Sequence, residues 1–219
     1  MCIRDRVKTR LGQTIGYDRA AKLYSYFAQD VLATVGQLPS APLIFFAPDN
    51  ARHEVMEWLM GREYYPQQGR ELGDRMSNAF NHCFELGYDR ALVVGSDSPD
   101  LPLSYLQTAL EQLAAEQVVL GPSEDGGYYA LGFTKHNYCP KVFQGIDWST
   151  EKVRTQTLAI LEHNTRPIYE LPTWYDVDTL SELQRFYQQN QKHLKQGEQS
   201  KSMTYLSRHQ HDIFERCRT

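Results

Sequence analysis

Cysteine is scarce and dispersed in this sequence. The 219 residues include four, Cys2, Cys83, Cys139 and Cys217, with no C-x-x-C pair. That spacing argues against a zinc ribbon or a disulfide framework and suits a reducing cytoplasm. No apolar run approaches the ~20 residues of a membrane-spanning helix, and no signal-peptide pattern opens the chain. Long basic runs are missing as well: 23 basic against 27 acidic residues give a net charge of -4. Neither nucleic acid nor a membrane surface is therefore the expected partner, and a small molecule is. Several motifs fail on inspection. Ser96 and Ser98 lack the glycines of G-x-S-x-G, Val7 stands where a P-loop ending in Lys8-Thr9 needs glycine, and no D-x-[DN]-x-[DN]-G series surrounds Asp125.

What is present is the composition of a sizeable α/β core, 41% hydrophobic and 23% charged. Ala20, Leu23, Tyr24, Phe27, Val31, Leu32 and Val35 fall on one helical face from Tyr17 onward, and Leu72, Met76, Ala79, Phe80 and Cys83 stripe another helix that Gly87 ends. Further helices are expected over Ala51–Met60, Leu103–Ala115 and from about Ser149. Between them, "PLIFFAP", "ALVV", "QVVLGP", "GYYALGF" and "RPIYELP" read as short strands, and "WYDVDT" as a last strand-like segment. Thr179-x-x-Glu182 is a capping box opening a helix to about Gln191. The alternation predicts a mostly parallel sheet with helices on both faces. Residues 1–191 form the expected domain, and 192–219 a polar tail with a possible terminal helix.

Ionisable residues gather where strands are expected to end. "RALVVGSDSPDLP" runs an apolar strand, read as buried on both faces, into Asp97 and Asp100. In open α/β sheets ligands sit at the C-terminal strand edge, so Asp97 is a site candidate; the alternative is an aspartate capping the next helix. If Trp174–Thr179 is extended, Asp176 and Asp178 share a face. Two such charges at ~4 Å repel by about 4 kcal/mol at an effective dielectric of about 20, so the pair needs a cation, a shared proton or open water. Oxygen ligands without nearby His or Cys fit Mg2+ or Mn2+, which commonly work on phosphates.

Lys8 and Arg10 in "VKTRLG" could meet such a phosphate, or could simply face solvent. "QQGRELGDRM" offers Gly69 and Gly73 for close backbone approach and Arg70 and Arg75 for phosphate or base contacts, or is an ordinary loop and helix start. In "EDGGYY", Gly126 and Gly127, flanked by Asp125 and two tyrosines, suit a loop carrying a polar substrate, and equally a plain β-turn.

Taken in order, "VKTRL", "QQGRELGDRM", "GSDSPDLP", "LGPSEDGGYYALGF", "DWST" and "WYDVDT" resemble the motifs of the DUF2064 family over about Val7 to Tyr187. The family comprises small GT-A-fold proteins, some linked to arsenosugar biosynthesis. The resemblance implies a GT-A, Rossmann-like three-layer sandwich with a mostly parallel central sheet. It also implies a metal-dependent glycosyltransferase, using a nucleotide-diphospho-sugar donor, a small-molecule acceptor and Mg2+ or Mn2+. Relatives of the same fold, 2-phospholactate guanylyltransferase and the molybdenum-cofactor nucleotidyltransferases, take a nucleoside triphosphate instead. A nucleotidyltransferase releasing pyrophosphate is therefore the alternative, and a non-catalytic nucleotide-binding protein the second.

Carried over residue by residue, the resemblance makes Asp97 the metal-binding aspartate and a catalytic residue, with Asp176 and Asp178 completing the metal site. It assigns Lys8 and Arg10 to the phosphate-binding first loop, and Gly69, Gly73 and Arg75 to the nucleotide. Gly126 and Gly127 fall on the acceptor side, where Asp125 is the candidate to orient or deprotonate the acceptor. The chain departs from D-x-D, because Ser98-Pro99 separates Asp97 from Asp100. It departs again at the start: family members open with an apolar strand and a Pro/Gly-containing loop, whereas "MCIRDR" stands here. That stretch resembles translated sequencing adapter, and the expectation is a chain missing its first strand.

Overall fold

The computed structural model describes residues 7–60, 62–163, 167–195 and 200–215; "MCIRDR", and with it the expectation of a missing strand, lies outside them. Apolar spacing resolves into eight α-helices and six strands among the described residues, shared between two compact units.

The first unit takes the described residues up to Tyr65, then Ser96–Leu101, and those from Asp176 onward. It holds α1 (Thr9–Ile15), α2 (Tyr17–Val35), β1 (Leu43–Phe46), α3 (Arg52–Trp58) and all but the last residue of β2 (Glu63–Pro66), then α7 (Leu180–Lys195) and α8 (Lys201–Arg208). The face expected on α2 is the buried one: Ala20, Leu23, Tyr24, Phe27 and Val31 are all in the core. Phe27 meets Phe186 of α7 edge-on, with ring centroids 5.9 Å apart. A second cluster, Phe46, Ala51, Val55, Leu59 and Tyr64, closes α3 onto the paired strands β1 and β2.

The last helix is tied down by a residue that sequence polarity does not flag. Buried Asp30, on α2, accepts hydrogen bonds from Lys201 N–H at 2.8 Å, Ser202 N–H at 3.0 Å, the Ser200 hydroxyl at 2.9 Å and the Ser202 hydroxyl. One carboxylate thus takes up two of the orphan N–H groups that open α8, while Met203, Leu206 and Ile213 bury alongside. Asp30→Ala would strand those donors and the fully buried Ser202 hydroxyl. The expected cost is about 2–4 kcal/mol, a Tm lower by roughly 5–15 °C; calorimetry showing an unchanged Tm would contradict the capping role.

The second unit, Pro66–Gly95 and Pro102–Tyr175, carries α4 (Leu72–Glu85), β3 (Arg90–Val94), α5 (Leu103–Ala114), β4 (Val118–Pro122), β5 (Tyr128–Thr134), α6 (Val153–His163) and β6 (Ile168–Glu170). Its four-stranded sheet has the order β3-β5-β4-β6. Here the expectation of a mostly parallel sheet is corrected: β5 is antiparallel to both β3 and β4, and only the β4–β6 pairing is parallel. The sheet is mixed because β4 and β5 are joined by the tight Ser123–Gly127 turn, with no crossover helix to reverse the chain a second time. A second correction concerns β3, read as buried on both faces; Ala91–Val94 are only half-buried, on a strand that ends the described sheet.

Phe80 of α4 centres the core of this unit, edge-on to Phe133 at 5.2 Å and stacked on Phe84 and Phe143. Val118, Leu120, Leu131 and Leu161 complete it. The α6 helix starts at Val153 rather than near Ser149, because Ser149 sits at φ 64° and the Thr150 hydroxyl turns back to Asp147 C=O at 2.7 Å. Among the described residues no helix is long and apolar enough to cross a membrane.

Candidate active site

The loop that follows β3 is held by side chains from α2, α7 and the segment before α7. The Ser96 hydroxyl shares a hydrogen bond with Tyr24 of α2 at 2.8 Å, and the buried Ser98 hydroxyl donates to Asp176 at 2.8 Å. Asp100 accepts from Asn190 of α7 at 2.7 Å. The backbone carbonyl of Asp97 accepts Val177 N–H at 2.9 Å, so its position is fixed independently of its side chain. The helix that follows, α5, has Pro102 at its N-cap and no side chain capping it, which removes the capping alternative for Asp97.

The carboxylate of Asp97 is instead paired with Lys8. Lys8 stands just before α1 with left-handed backbone, φ 52° and ψ 47°, and its side chain is only 2% exposed. Nζ lies 6.0 Å from the ring centroids of Tyr24 and Phe27, 2.5 Å from Asp97 Oδ1 and 2.6 Å from Asp178 Oδ1. Arg10, 65% exposed, takes the other Asp178 oxygen at 2.7 Å. The Asp178 backbone is set by the capping box, in which Glu182 accepts N–H groups from Asp178 at 2.7 Å and Thr179 at 2.8 Å. Two cations and two carboxylates thus form one chain, Asp97–Lys8–Asp178–Arg10.

Burial alone would push the Lys8 ammonium down and the Asp178 carboxyl up. The opposite charges outweigh it, so Lys8 is raised by Asp97 and Asp178, and Asp178 is lowered by Lys8 and Arg10. The linkage has a definite sign. Asp178 adds stability above its ordinary value near 3.8 and loses it as pH falls through the lower folded value. Lys8 adds stability below its ordinary 10.5 and loses it as pH rises through the higher folded value. Urea midpoints of the wild type should therefore decline below about pH 4, and Asp178→Asn should lack that share of the decline. Superimposable acid limbs would remove Asp178 from the account.

Asp176 and Asp178 do not form the expected strand-face pair. Among Trp174–Thr179 only Trp174 makes a bridge, to Ser123, because the neighbouring strand turns away at the loop that follows. Asp176 faces Ser98 and Asp178 faces Lys8 and Arg10. Asp97 and Asp178 do converge on one positive centre, the Lys8 ammonium, and Asp97 keeps 46% of its side chain open. Two carboxylates that meet at one point are oxygen donors of the kind Mg2+ or Mn2+ takes, and in this structure that point is filled by the Lys8 ammonium. Asp176 does not share that point, and no group of three metal-ligating residues converges among the described residues.

The remaining candidates lie in the second unit, and each has a local part to play. Arg75 Nε reaches back to Gly69 C=O at 3.3 Å, and Asp74 accepts Arg70 N–H at 3.0 Å, closing the loop before α4. Gly73 is buried beneath Phe143 and Trp148; a Cβ there would come within 2.5 Å of the Phe143 carbonyl. Exposed Asp125 accepts Gly127 N–H at 2.9 Å, and Gly126 C=O accepts Arg154 N–H at 2.9 Å, docking the turn on α6. Sequence reasoning gave Tyr24 only to a helix face, weighed Ser98 only as a nucleophile and passed over Asn190; all three hold the Asp97 loop. Only the buried-type surroundings of Ser98, between an apolar strand and Pro99, could have signalled one of them.

Residues 31–150 match the family model described as "Uncharacterized protein conserved in bacteria (DUF2064)". The chain belongs to the DUF2064 family. This DUF2064 chain is also similar, at 35% identity over 98% of its length and 96% of the other's, to a solved structure from Desulfovibrio desulfuricans G20 described as a "putative nucleotide-diphospho-sugar transferase", with a TM-score of 0.90. CMP:2-keto-3-deoxy-manno-octonic acid synthetase, solved with CTP, shares the fold at a TM-score of 0.51 and 12% identity, over 73% of this chain and 85% of that one. No curated protein matches the chain.

Proposed function

We propose that this protein is a transferase that takes a nucleotide-diphospho-sugar donor and passes the sugar to a small-molecule acceptor. The observation that carries the reading is the Asp97–Lys8–Asp178–Arg10 chain, in a protein 35% identical to the Desulfovibrio relative over nearly its full length. Departure of a nucleoside diphosphate leaves negative charge on the β-phosphate, so fixed cations near it are the main requirement. Arg10, with its guanidinium largely in solvent, binds and orients the diphosphate, and Lys8 supplies the inner positive charge. Asp97 and Asp178 would hold Mg2+ or Mn2+, which supplies charge neutralisation at the diphosphate. In the second unit, Gly69, Gly73 and Arg75 are proposed for the nucleotide; Asp125, Gly126 and Gly127 are proposed for the acceptor, with Asp125 orienting its hydroxyl.

A thermal-shift screen against nucleotide sugars and nucleoside triphosphates, each with and without Mn2+, tests this reading. A ligand at about 100 times its Kd adds roughly 2.7 kcal/mol, which is readily seen. The expected result is metal-dependent stabilisation by one nucleotide sugar and release of its nucleoside diphosphate with acceptor present. Response to a triphosphate alone, with pyrophosphate released, would replace glycosyl transfer by nucleotidyl transfer. Stabilisation by a nucleotide with no turnover on any acceptor would leave a binding protein.

A further inference from the structure

Lys8 holds the position between two carboxylates that the proposed function gives to a divalent ion, and the inference rests on that reading. The ammonium is 2% exposed and its charge is met by Asp97 and Asp178; the rings of Tyr24 and Phe27 close over it. A buried ammonium deprived of its anions is strongly disfavoured. A divalent ion that took both carboxylates would create that deprivation, unless another anion arrived to receive Lys8.

We infer that Lys8 is an internal place-holder cation that makes metal and nucleotide binding depend on each other. Without nucleotide, Lys8 neutralises the Asp97–Asp178 pair, so the pair neither repels itself apart nor captures a divalent ion from solution. When a diphosphate arrives, its oxygens give Lys8 a replacement anion and Arg10 a second contact. The carboxylates are then released to the metal that accompanies the phosphates. By linkage, the metal strengthens nucleotide binding by the same factor by which nucleotide strengthens metal binding. The consequence is a site that stays unmetallated until the donor is present.

Mn2+ binding, measured by water-proton relaxation and calorimetry, tests this with Lys8→Gln and with Arg10→Gln as a charge control. Arg10→Gln removes the same charge beside Asp178 but from a largely exposed position that does not lie between the carboxylates. The expected result is weak binding of Mn2+ alone to the wild type and binding at least tenfold tighter to Lys8→Gln. Arg10→Gln should gain clearly less, and Asp97→Asn added to Lys8→Gln should abolish the gain. Equal Mn2+ affinity in wild type and Lys8→Gln, with Asp97→Asn weakening both, would overturn the place-holder while leaving the metal site standing. An equal gain in both single variants would reduce the effect to general charge and overturn it too. No Mn2+ binding by any variant, with or without nucleoside diphosphate, would remove the metal reading and the place-holder together. The wild type supplies an arm that needs no variant: Mn2+ alone should leave its Tm unmoved at concentrations where Mn2+ with a nucleoside diphosphate raises it. A Tm rise with Mn2+ alone would also overturn the inference.

Discussion

Asp97→Asn lowers donor turnover by about a thousandfold while the protein stays folded. The substitution keeps the shape of the side chain and removes one negative charge. Its backbone is held by Val177 N–H on the Asp97 carbonyl, which asparagine retains. Lys8 keeps Asp178 as its counter-charge, so no buried cation is left alone. The side chain is nearly half open, so an amide there costs little in solvation. What is lost is the charge that pairs with Lys8 and that, on the proposed function, would hold the metal. Removal of one such electrostatic group from an active site typically costs ~10²–10³ in kcat, about 3–4 kcal/mol. Initial rates of nucleoside diphosphate release, with circular dichroism to confirm folding, decide the matter. Wild-type turnover in a folded Asp97→Asn protein would take Asp97 out of the mechanism.

Gly126→Ala destabilises the protein by about 2–5 kcal/mol, a Tm lower by roughly 10 °C, while Gly127→Ala costs under about 1 kcal/mol. The two glycines are adjacent and look equivalent in sequence. Gly126 has φ 89°, and a Cβ there would lie 2.4 Å from the Glu151 carbonyl oxygen and 2.5 Å from Glu151 Cα, backbone atoms that cannot step aside. Its own carbonyl is also occupied by Arg154 N–H, so moving the turn breaks a contact with α6. At Gly127 the Cβ would meet the Asp125 carboxylate at 3.1 Å, a side chain that can rotate away. Gly127→Ala therefore probes the acceptor assignment with the fold intact: a raised KM for the acceptor supports it, and unchanged kinetics remove it. Equal losses of Tm in the two variants would defeat the packing account.

The sequence was informative wherever the cause was local. Residues 17–35 repeat apolar side chains at helical spacing, and the helix buries that face. Thr179 and Glu182 stand three apart, and the reciprocal cap forms because both groups lie within one turn. Legibility failed where two strands or two loops had to meet. The overall alternation of strand and helix hid the fact that β5 returns antiparallel beside β4, although the five residues between Pro122 and Tyr128 are too few for a crossover.

The candidate site divides along the same line. Sequence by itself marked Asp97 as a charged residue at the end of an apolar run, and left Lys8 and Arg10 as residues that could equally face solvent; the resemblance to the family assigned those two to phosphate. Sequence also placed Asp176 and Asp178 together on one strand face. Only the tertiary structure separated them, sending Asp176 to Ser98 and Asp178 to Lys8, a partner 170 residues away. No local rule reaches that far. A buried ammonium must be neutralised wherever the chain happens to bring it, and which carboxylates answer is decided by how α1, the Asp97 loop and the segment before α7 pack together.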